Sequence, residues 1–423
     1  MTDKIRHSSR YKAVVAILAC ICFILFNGLL SAKKGEKKSP HFNHTPYLTP
    51  DRDVKPILPS WPGELVNMYD TVTVSFIGDV MQHGYQIRSA LIKGKDPNIA
   101  SSYDYTQTFK YLEQEFHKDD ITVANIEFPI GTPPYSGYPQ FSAPESIVTQ
   151  AVKSGIDLFQ IANNHLLDRG KEGFTRTLKI YDSLDVHYTG AYLNDSLKKI
   201  SDPKIIEIKG VKIAFINFTY GTNGIPIPSP CCINTMDSTQ VKLSIQRANE
   251  CGADIIIALP HWGNEYEIYP STQQNKWAKM LFNNGVKVII GTHPHVPQSA
   301  ELHLNNTSHP RRYGAIDKMV FYSLGNYISN QSNPDYTQLG MLVKVKIIKN
   351  NLSGEITLST PEYEYLWCFK KGEFETDYTV IPVRRMLQDP LLKEKIKDRK
   401  QLERMENTFN QIMNKNLVKE LYP

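Results

Sequence analysis

From residue 71 onward the chain alternates between two patterns. Short, nearly continuous apolar runs rich in β-branched residues end abruptly in polar side chains, and stretches that read as helices separate them. TVTVSFIGD at 71–79 predicts a strand ending at Gly-Asp, ITVANIE at 121–127 a second, and IDLFQIANNH at 156–165 a third running into a polar loop. VKIAFINF at 211–218, ADIIIALPHWG at 253–263, VKVIIGTHPH at 286–295 and KMVFYSLGN at 318–326 repeat the motif. Helices are predicted over 106–117, 145–155 (closed by Gly155), 170–184, 238–251 and 272–284. Strands at 339–348 and 354–359 follow, and a charged helical tail over 388–420 closes the chain.

Alternation of this kind predicts βαβ units and an α/β fold with its sheet covered on both faces. In such sheets ligands gather at the carboxyl ends of the strands. The polar residues cluster there: Asp79, Glu127, Asn163-Asn164-His165, His261 and His293-Pro294-His295.

The N-terminal region changes the picture. Residues 13–30 (AVVAILACICFILFNGLL) carry no charge and approach the length of roughly 20 residues that a membrane helix needs. Leu30-Ser31-Ala32 is a poor cleavage site and no cysteine follows, so an uncleaved anchor fits better than a signal peptide. Lys4, Arg6, Arg10 and Lys12 precede the run, and Lys33, Lys34, Lys37 and Lys38 follow it. The leading cluster and the long polar remainder favour a single-pass cell-membrane protein with an extracytoplasmic body. The expected organisation is cytoplasmic terminus and anchor over 1–32, linker over 33–70, main domain over 71–348, and C-terminal strands and tail over 349–423.

At 423 residues, 41% hydrophobic and 22% charged, the chain is long enough for one large domain or two smaller ones. Much of the net charge of +5 sits beside the anchor, and no basic stripe interleaves with aromatics, so no nucleic-acid partner is expected. The six cysteines show no CxxC spacing, which argues against a zinc–thiolate site. A disulfide from Cys231 or Cys232 to Cys251 or Cys368 stays open.

Each polar motif has a plain structural reading. Gly78-Asp79 suits a turn, Glu127 a surface carboxylate, and Asp168 a cap for the helix after it, a role expected here. A lone His261 would be held by a carbonyl. His293 and His295, at i and i+2 in an extended segment, would point to one side. Jointly the residues say more. Of twelve histidines, four (165, 261, 293 and 295) fall at the polar exits of three apolar strands, as one shared face requires. Carboxylate, amide oxygen and imidazole suit Mn, Fe or Zn, and six or seven such donors are enough for two divalent ions and a bridging water. Trp262, Tyr266 and Asn326 are expected to line the substrate cleft. No GxSxG elbow supports a serine-hydrolase alternative, and no GxxxxGK[ST] loop an ATP-dependent one.

Over about residues 72–330 the chain resembles the CapA family, the PgsA-like poly-gamma-glutamate capsule proteins. The likeness rests on FIGDVM at 76–81, NIEFPIG at 125–131, FSAPE at 141–145, GIDLFQIANNHLLDRGKEGFTRTL at 155–178, TGA at 189–191, LPHWGNEY at 259–266, GTHPHVPQ at 291–298 and YSLGNYISNQ at 322–331. It implies a fold similar to calcineurin-like metallophosphoesterases, with α/β/β/α layering. It also implies roles: Asp79 as first metal aspartate, Glu127 in place of the bridging aspartate, Asn164 as metal-binding amide, His165 acting on the leaving group, and His261, His293 and His295 as imidazole ligands. Asp79, Asn164 and His165 would then be the catalytic residues. Two departures bear on this. Met81 stands where such enzymes carry a histidine two residues after the first aspartate, with His83 nearby at another spacing, and the bridging carboxylate is Glu. The resemblance implies a membrane-anchored metal-dependent hydrolase acting on an anionic envelope polymer. Its alternative is a non-enzymatic metal- or polyanion-binding component working with capsule or poly-gamma-glutamate synthesis proteins.

Overall fold

The computed structural model describes residues 68–304, 316–415 and 417–421. The expected anchor, and the linker up to residue 67, lie outside the described residues. Among the described residues no helix is long and apolar enough to cross a membrane.

The apolar runs become strands: β1 (Tyr69–Val80), β2 (Ile121–Ile126), β3 (Leu158–Gln160), β4 (His187–Thr189), β5 (Ala191–Tyr192), β6 (Lys204–Ile208), β7 (Val211–Thr219), β8 (Cys232–Ile233) and β9 (Ile255–His261). β10 (Val288–Ile290), β11 (Ala300–Leu304), β12 (Ile316–Phe321), β13 (Asn326–Ile328), β14 (Leu339–Asn350), β15 (Ile356–Leu358), β16 (Glu362–Phe369), β17 (Thr379–Pro382) and β18 (Val418–Leu421) follow. Sixteen of them form one hydrogen-bonded sheet, with the path β4-β3-β2-β1-β14-β15-β12-β10-β9-β7-β6, while β5 and β8 form a separate ribbon. β1, β2, β3 and β4 run parallel, as do β7, β9, β10 and β12, so the carboxyl ends within each group share an edge. Between the two groups the path runs through β15, which among the described residues meets β12 at the pair Ile316–Leu358.

Pleating sends alternate side chains to opposite faces. Val72, Val74 and Phe76, Val123, Ile213 and Phe215, Ile257 and Leu259, Met319 and Phe321, and Val343 and Val345 share one buried cluster, so the inward faces of both halves pack together. Residues of opposite parity face outward. Ile77, Ala124, Ile126 and Phe159 pack with Ile147 and Val148 of the helix Ser146–Lys153 and Phe174 and Leu178 of the helix Gly170–Ser183. Ala214, Ile216, Ile256 and Ala258 pack with Val241 and Ile245 of Ser238–Glu250 and with Ala278 and Leu281 of Thr272–Asn283. Each large aliphatic chain buried this way contributes about 1.5–3 kcal/mol. The result is a mixed α/β fold on a large central sheet, with helices against both outward faces.

Several elements differ from the sequence reading. The helix predicted over 106–117 breaks into Thr106–Phe109 and Glu113–Lys118. The third strand stops at Gln160 and the one at 286–295 stops at Ile290. The strand at 318–326 ends at Phe321, and residues 326–328 turn back to pair with β1. The boundary at 348/349 falls inside β14. Beyond it, β16 pairs with β14, and β17 with β16, so the C-terminal region is continuous with the main sheet. Most of the tail is helical over Arg399–Met413, where Met405, Phe409 and Ile412 face the core, but Val418–Leu421 leaves the helix to pair with β11. Cys231, Cys232, Cys251 and Cys368 are all free, so no disulfide joins them.

Candidate metal centre

Gly78 sets the geometry at the end of β1. A Cβ there would fall 1.8 Å from the Gly325 carbonyl oxygen, so only glycine lets the two backbones meet. The register slips between Ile77 and Asp79, and the Asp79 amide donates to that same carbonyl at 2.9 Å. The slip delivers Asp79 to the carboxyl edge, where Glu127 follows β2, Asn164 and His165 follow β3, and His261 ends β9. All five are buried.

Asn125 ties the carboxylates together. Its Nδ2 donates to Asp79 Oδ1 at 2.7 Å and to Glu127 Oε2 at 2.9 Å. Glu127 Oε1 has no hydrogen-bond partner, although it is buried. It lies 3.6 Å from His261 Nε2 and 3.7 Å from His295 Nε2. His295 Nδ1 lies 2.9 Å from Asp79 Oδ2 and 3.1 Å from Asn326 Oδ1. Two acceptors there place the ring proton on Nδ1 and leave the Nε2 lone pair facing Glu127. His261 reaches Thr292 Oγ1 at 3.1 Å through Nδ1, and Asn164 Oδ1 at 2.9 Å through Nε2. His293 Nδ1 is a second buried atom without a partner.

The electrostatics match this arrangement. Burial first, then the Asp79 and Glu265 charges, pushes the Glu127 carboxyl well above its ordinary range. Burial first, then neighbouring imidazoles, pushes His261 and His293 well down. Among the described residues no lysine or arginine pairs with either carboxylate. Two such acids buried without a cation, beside neutral imidazoles and two orphaned donor atoms, fit a divalent metal. Donor atoms from Asp79, Glu127 and His261 lie within 4.8 Å of one another, as do those from Glu127, His293 and His295. Two ligands about 2.1 Å from one ion at a tetrahedral angle sit roughly 3.4 Å apart, close to the Glu127–histidine separations.

Beside this set stands a second pair. His165 Nδ1 lies 2.8 Å from Asp168 Oδ2, which also accepts the Phe141 amide at 2.8 Å. Asp168 therefore orients His165. It does not cap the helix Gly170–Ser183, whose N-cap is Arg169 with no side-chain bond.

The candidate residues sort cleanly. Asp79, Glu127, Asn164, His261, His293 and His295 converge, with His165 at the side. His293 and His295 reach the centre differently from the expectation. They lie in a loop at φ 97° and 59°, not on an extended segment, so strained backbone and not strand alternation aims them inward. Trp262 does not line a cleft: it is fully buried, and its indole donates to the Tyr322 carbonyl at 2.9 Å, since the residue after His261 turns to the opposite face. Asn326 is buried as well, bonded to His295, Gln331 and Thr337, and so holds His295 in place. Tyr266 is exposed, its ring 6.3 Å from that of His295. Met81 packs in the apolar cluster and supplies no donor. His83 caps the helix Gly84–Ala90, exchanging bonds with Gln86, and burial pushes it down to about 4. Asn125, not among the candidate ligands, stands two residues before Glu127 and so shares its strand face.

Fold and site together define a mixed α/β protein with a buried carboxylate–imidazole centre at its strand ends. The family model for the bacterial capsule synthesis protein PGA_cap matches residues 73–331, more than half of the chain, and the chain belongs to that family. It is 25% identical over 273 residues to the capsule biosynthesis protein CapA of Bacillus anthracis, covering 62% of this chain and 61% of that one. It is 29% identical over 282 residues to the PGA biosynthesis protein CapA of Bacillus subtilis strain 168, covering 62% and 64%. The chain thus spans less than two thirds of either relative. Among solved structures it is similar to a Mycoplasma pneumoniae phosphatase (12% identity, TM-score 0.40, 77% of this chain and 99% of that one). It is also similar to the calcineurin-like phosphoesterase YfkN of Bacillus subtilis (13%, TM-score 0.39, 82% and 98%).

Proposed function

We propose that this chain is a membrane-anchored, metal-dependent phosphoester hydrolase of capsule or poly-gamma-glutamate biosynthesis, with α/β/β/α layering and its body outside the cytoplasmic membrane. One observation carries the chemistry. Glu127 belongs to both three-residue donor sets, and its buried Oε1 has no other partner. A carboxylate so placed suits the bridge between two divalent ions, Mn, Fe or Zn. Bound there, such ions would supply an activated water and polarise the phosphoryl oxygens.

The remaining work falls to the chain. Asn125 keeps Asp79 and Glu127 side by side, donating to both. Asn326 and Asp79 fix the ring of His295, and Thr292 that of His261. Asp168 holds Nδ1 of His165, leaving Nε2 to pass a proton to the departing oxygen as the P–O bond to it breaks and the water oxygen bonds to phosphorus. The proposed substrate is an anionic envelope polymer, and the proposed partners are the capsule or poly-gamma-glutamate synthesis proteins.

A second reading keeps the site and drops turnover: a metal- or polyanion-binding component of a synthesis or export complex. Met81, apolar and buried two residues after Asp79, favours it by withholding a donor. The test is metal content and hydrolysis by the full chain on phosphomonoester, phosphodiester and γ-glutamyl substrates, beside Asp79→Asn and His293→Ala. Hydrolysis that follows metal content supports the first reading. Retained metal with no turnover supports the second. No retained metal, and no stimulation by Mn or Zn, defeats the first reading and the metal-binding form of the second.

A further inference from the structure

Three tyrosines stand around this centre, Tyr220 and Tyr266 beside its imidazole rings and Tyr138 one ring removed. Tyr220 is 44% exposed, and its ring lies 4.5 Å from that of His293 and 6.2 Å from that of His261. Tyr266 is 38% exposed and held over His295 by an unusual backbone at φ 68°, which its amide fixes by donating to the Pro294 carbonyl at 2.8 Å. Tyr138 is 73% exposed and meets the edge of Phe141, which meets the edge of His165 at 4.6 Å. Leaving three aromatic rings partly in water around a buried polar centre costs free energy. A left-handed conformation at a tyrosine adds to that cost. Both point to a ligand that covers the rings.

The chemistry of the mouth narrows the ligand. Among the described residues no lysine or arginine stands over these three rings. Glu265 lies close enough to act electrostatically on Glu127, Tyr220 and Tyr266. A carboxylate-rich chain would meet a carboxylate and neutral phenols there, with no counter-charge. Nor do the tyrosines form a parallel slot for a flat base. None of them stacks on another, and the two imidazoles under Tyr220 and Tyr266 are inclined at 60°. An uncharged saturated ring suits the place: its C–H faces meet the π faces, and its hydroxyls meet Glu265, the Tyr266 hydroxyl and Gln331, whose amide donates to that hydroxyl at 3.3 Å.

We propose that Tyr220, Tyr266 and Tyr138 bind a pyranose ring, so that the group presented to this centre is a sugar phosphate and not a bare γ-glutamyl chain. The inference rests on the phosphoester-hydrolase reading for its phosphate. A sugar-phosphate repeat is still a polyanion, but its charge sits at the ions and its neutral ring at the tyrosines. Hydrolysis would break the bond between phosphorus and the sugar oxygen, the water oxygen taking its place on phosphorus and a water proton ending on the sugar hydroxyl.

The experiment uses the full chain loaded with Mn. Binding of glucose 1-phosphate, glycerol 1-phosphate, uridine monophosphate and tetra-γ-glutamate is measured by titration calorimetry, and turnover of the phosphates in parallel. Tyr220→Ala and Tyr266→Ala are compared with Tyr69→Ala, an exposed tyrosine at the opposite end of β1. The expected result is that glucose 1-phosphate binds about tenfold more tightly than glycerol 1-phosphate, a preference worth about 1.4 kcal/mol. Each mouth variant should lose that preference at unchanged metal content, and Tyr69→Ala should keep it. Equal binding of the two phosphates, tighter binding of uridine monophosphate or tetra-γ-glutamate, or unchanged binding in both mouth variants overturns the proposal. Tyrosine-dependent binding of the sugar phosphate without turnover keeps the ring site and defeats the hydrolase reading. Equal turnover of sugar and glycerol phosphates does the reverse.

Discussion

Replacing Asn125 with alanine isolates what holds the centre together before any ion arrives. The substitution removes two hydrogen bonds to buried carboxylates, at 2.7 and 2.9 Å, and no other side chain donates to either Asp79 Oδ1 or Glu127 Oε2 among the described residues. Hydrogen bonds to charged groups contribute about 1.5–3 kcal/mol each, so the metal-free protein should lose roughly 3–6 kcal/mol. Glu127 can relieve part of this by taking up a proton, because burial and Asp79 already favour its neutral form. The lower end is therefore expected, near 3 kcal/mol. In a body of this size about 2 °C of melting temperature follows each kcal/mol, giving a fall of about 6 °C in chelator-treated protein. Asn125→Asp, which sets a third carboxylate between the two, should melt lower still. Metal affinity should drop about 10–100-fold in Asn125→Ala, as for other groups that orient ligands. Calorimetric melting with and without Mn, and a metal titration, read all three effects. Melting of Asn125→Ala within about 1 °C of the parent, with Asn125→Asp no worse, would falsify the role given to this amide.

Further outcomes follow from other contacts. Asp168→Asn should lower kcat about 100-fold or more while leaving metal content unchanged, because His165 loses the carboxylate that fixes its Nδ1 proton; loss of metal instead would place Asp168 in the ligand network. Gly78→Ala should destabilise the protein by more than about 3 kcal/mol, since its Cβ meets a carbonyl 1.8 Å away, and an unchanged denaturation midpoint would show that the strands separate freely there. Lys370 is buried beside Cys368, Glu373, Arg404 and Asp335, and burial lowers it from 10.5 to about 8. Its charge therefore costs stability below pH 8, and the cost is relieved as pH rises from about 8 to 10.5, where the unfolded chain still holds the proton. Lys370→Met should thus gain on the parent at pH 7 and lose that advantage by up to about 3 kcal/mol above pH 10; parallel stability curves across this range would contradict the assignment.

The sequence disclosed the centre where a residue simply ends an apolar strand. Asp79, Glu127 and His261 do so, and their convergence follows from parallel strands presenting one edge. His293 and His295 join the centre as their place at a strand exit predicts, but two residues at positive φ aim them, and residue type does not announce that backbone. Asp168 and Trp262 were misplaced because local rules, a cap before a helix and an aromatic beside a motif, competed with tertiary contacts to Phe141, His165 and Tyr322. Asn125 was readable from strand parity alone. The joining of Val418–Leu421 to β11 was not, since four residues after a long charged helix carry no alternation to mark a strand.

The junction between the two halves of the sheet gives the centre a second role. Asp79, Glu127 and Asn164 stand on one half of the sheet, and His261, His293 and His295 on the other. An ion held by both sets would tie the halves together beside the β1–β13 pairing and the Asp79 amide to Gly325 carbonyl bond that already join them. Selection on the ligands is then selection on the architecture as well as on turnover. Ligands that tie the two halves would serve the architecture as well as turnover, whereas the dyad of His165 and Asp168 serves the proton transfer alone.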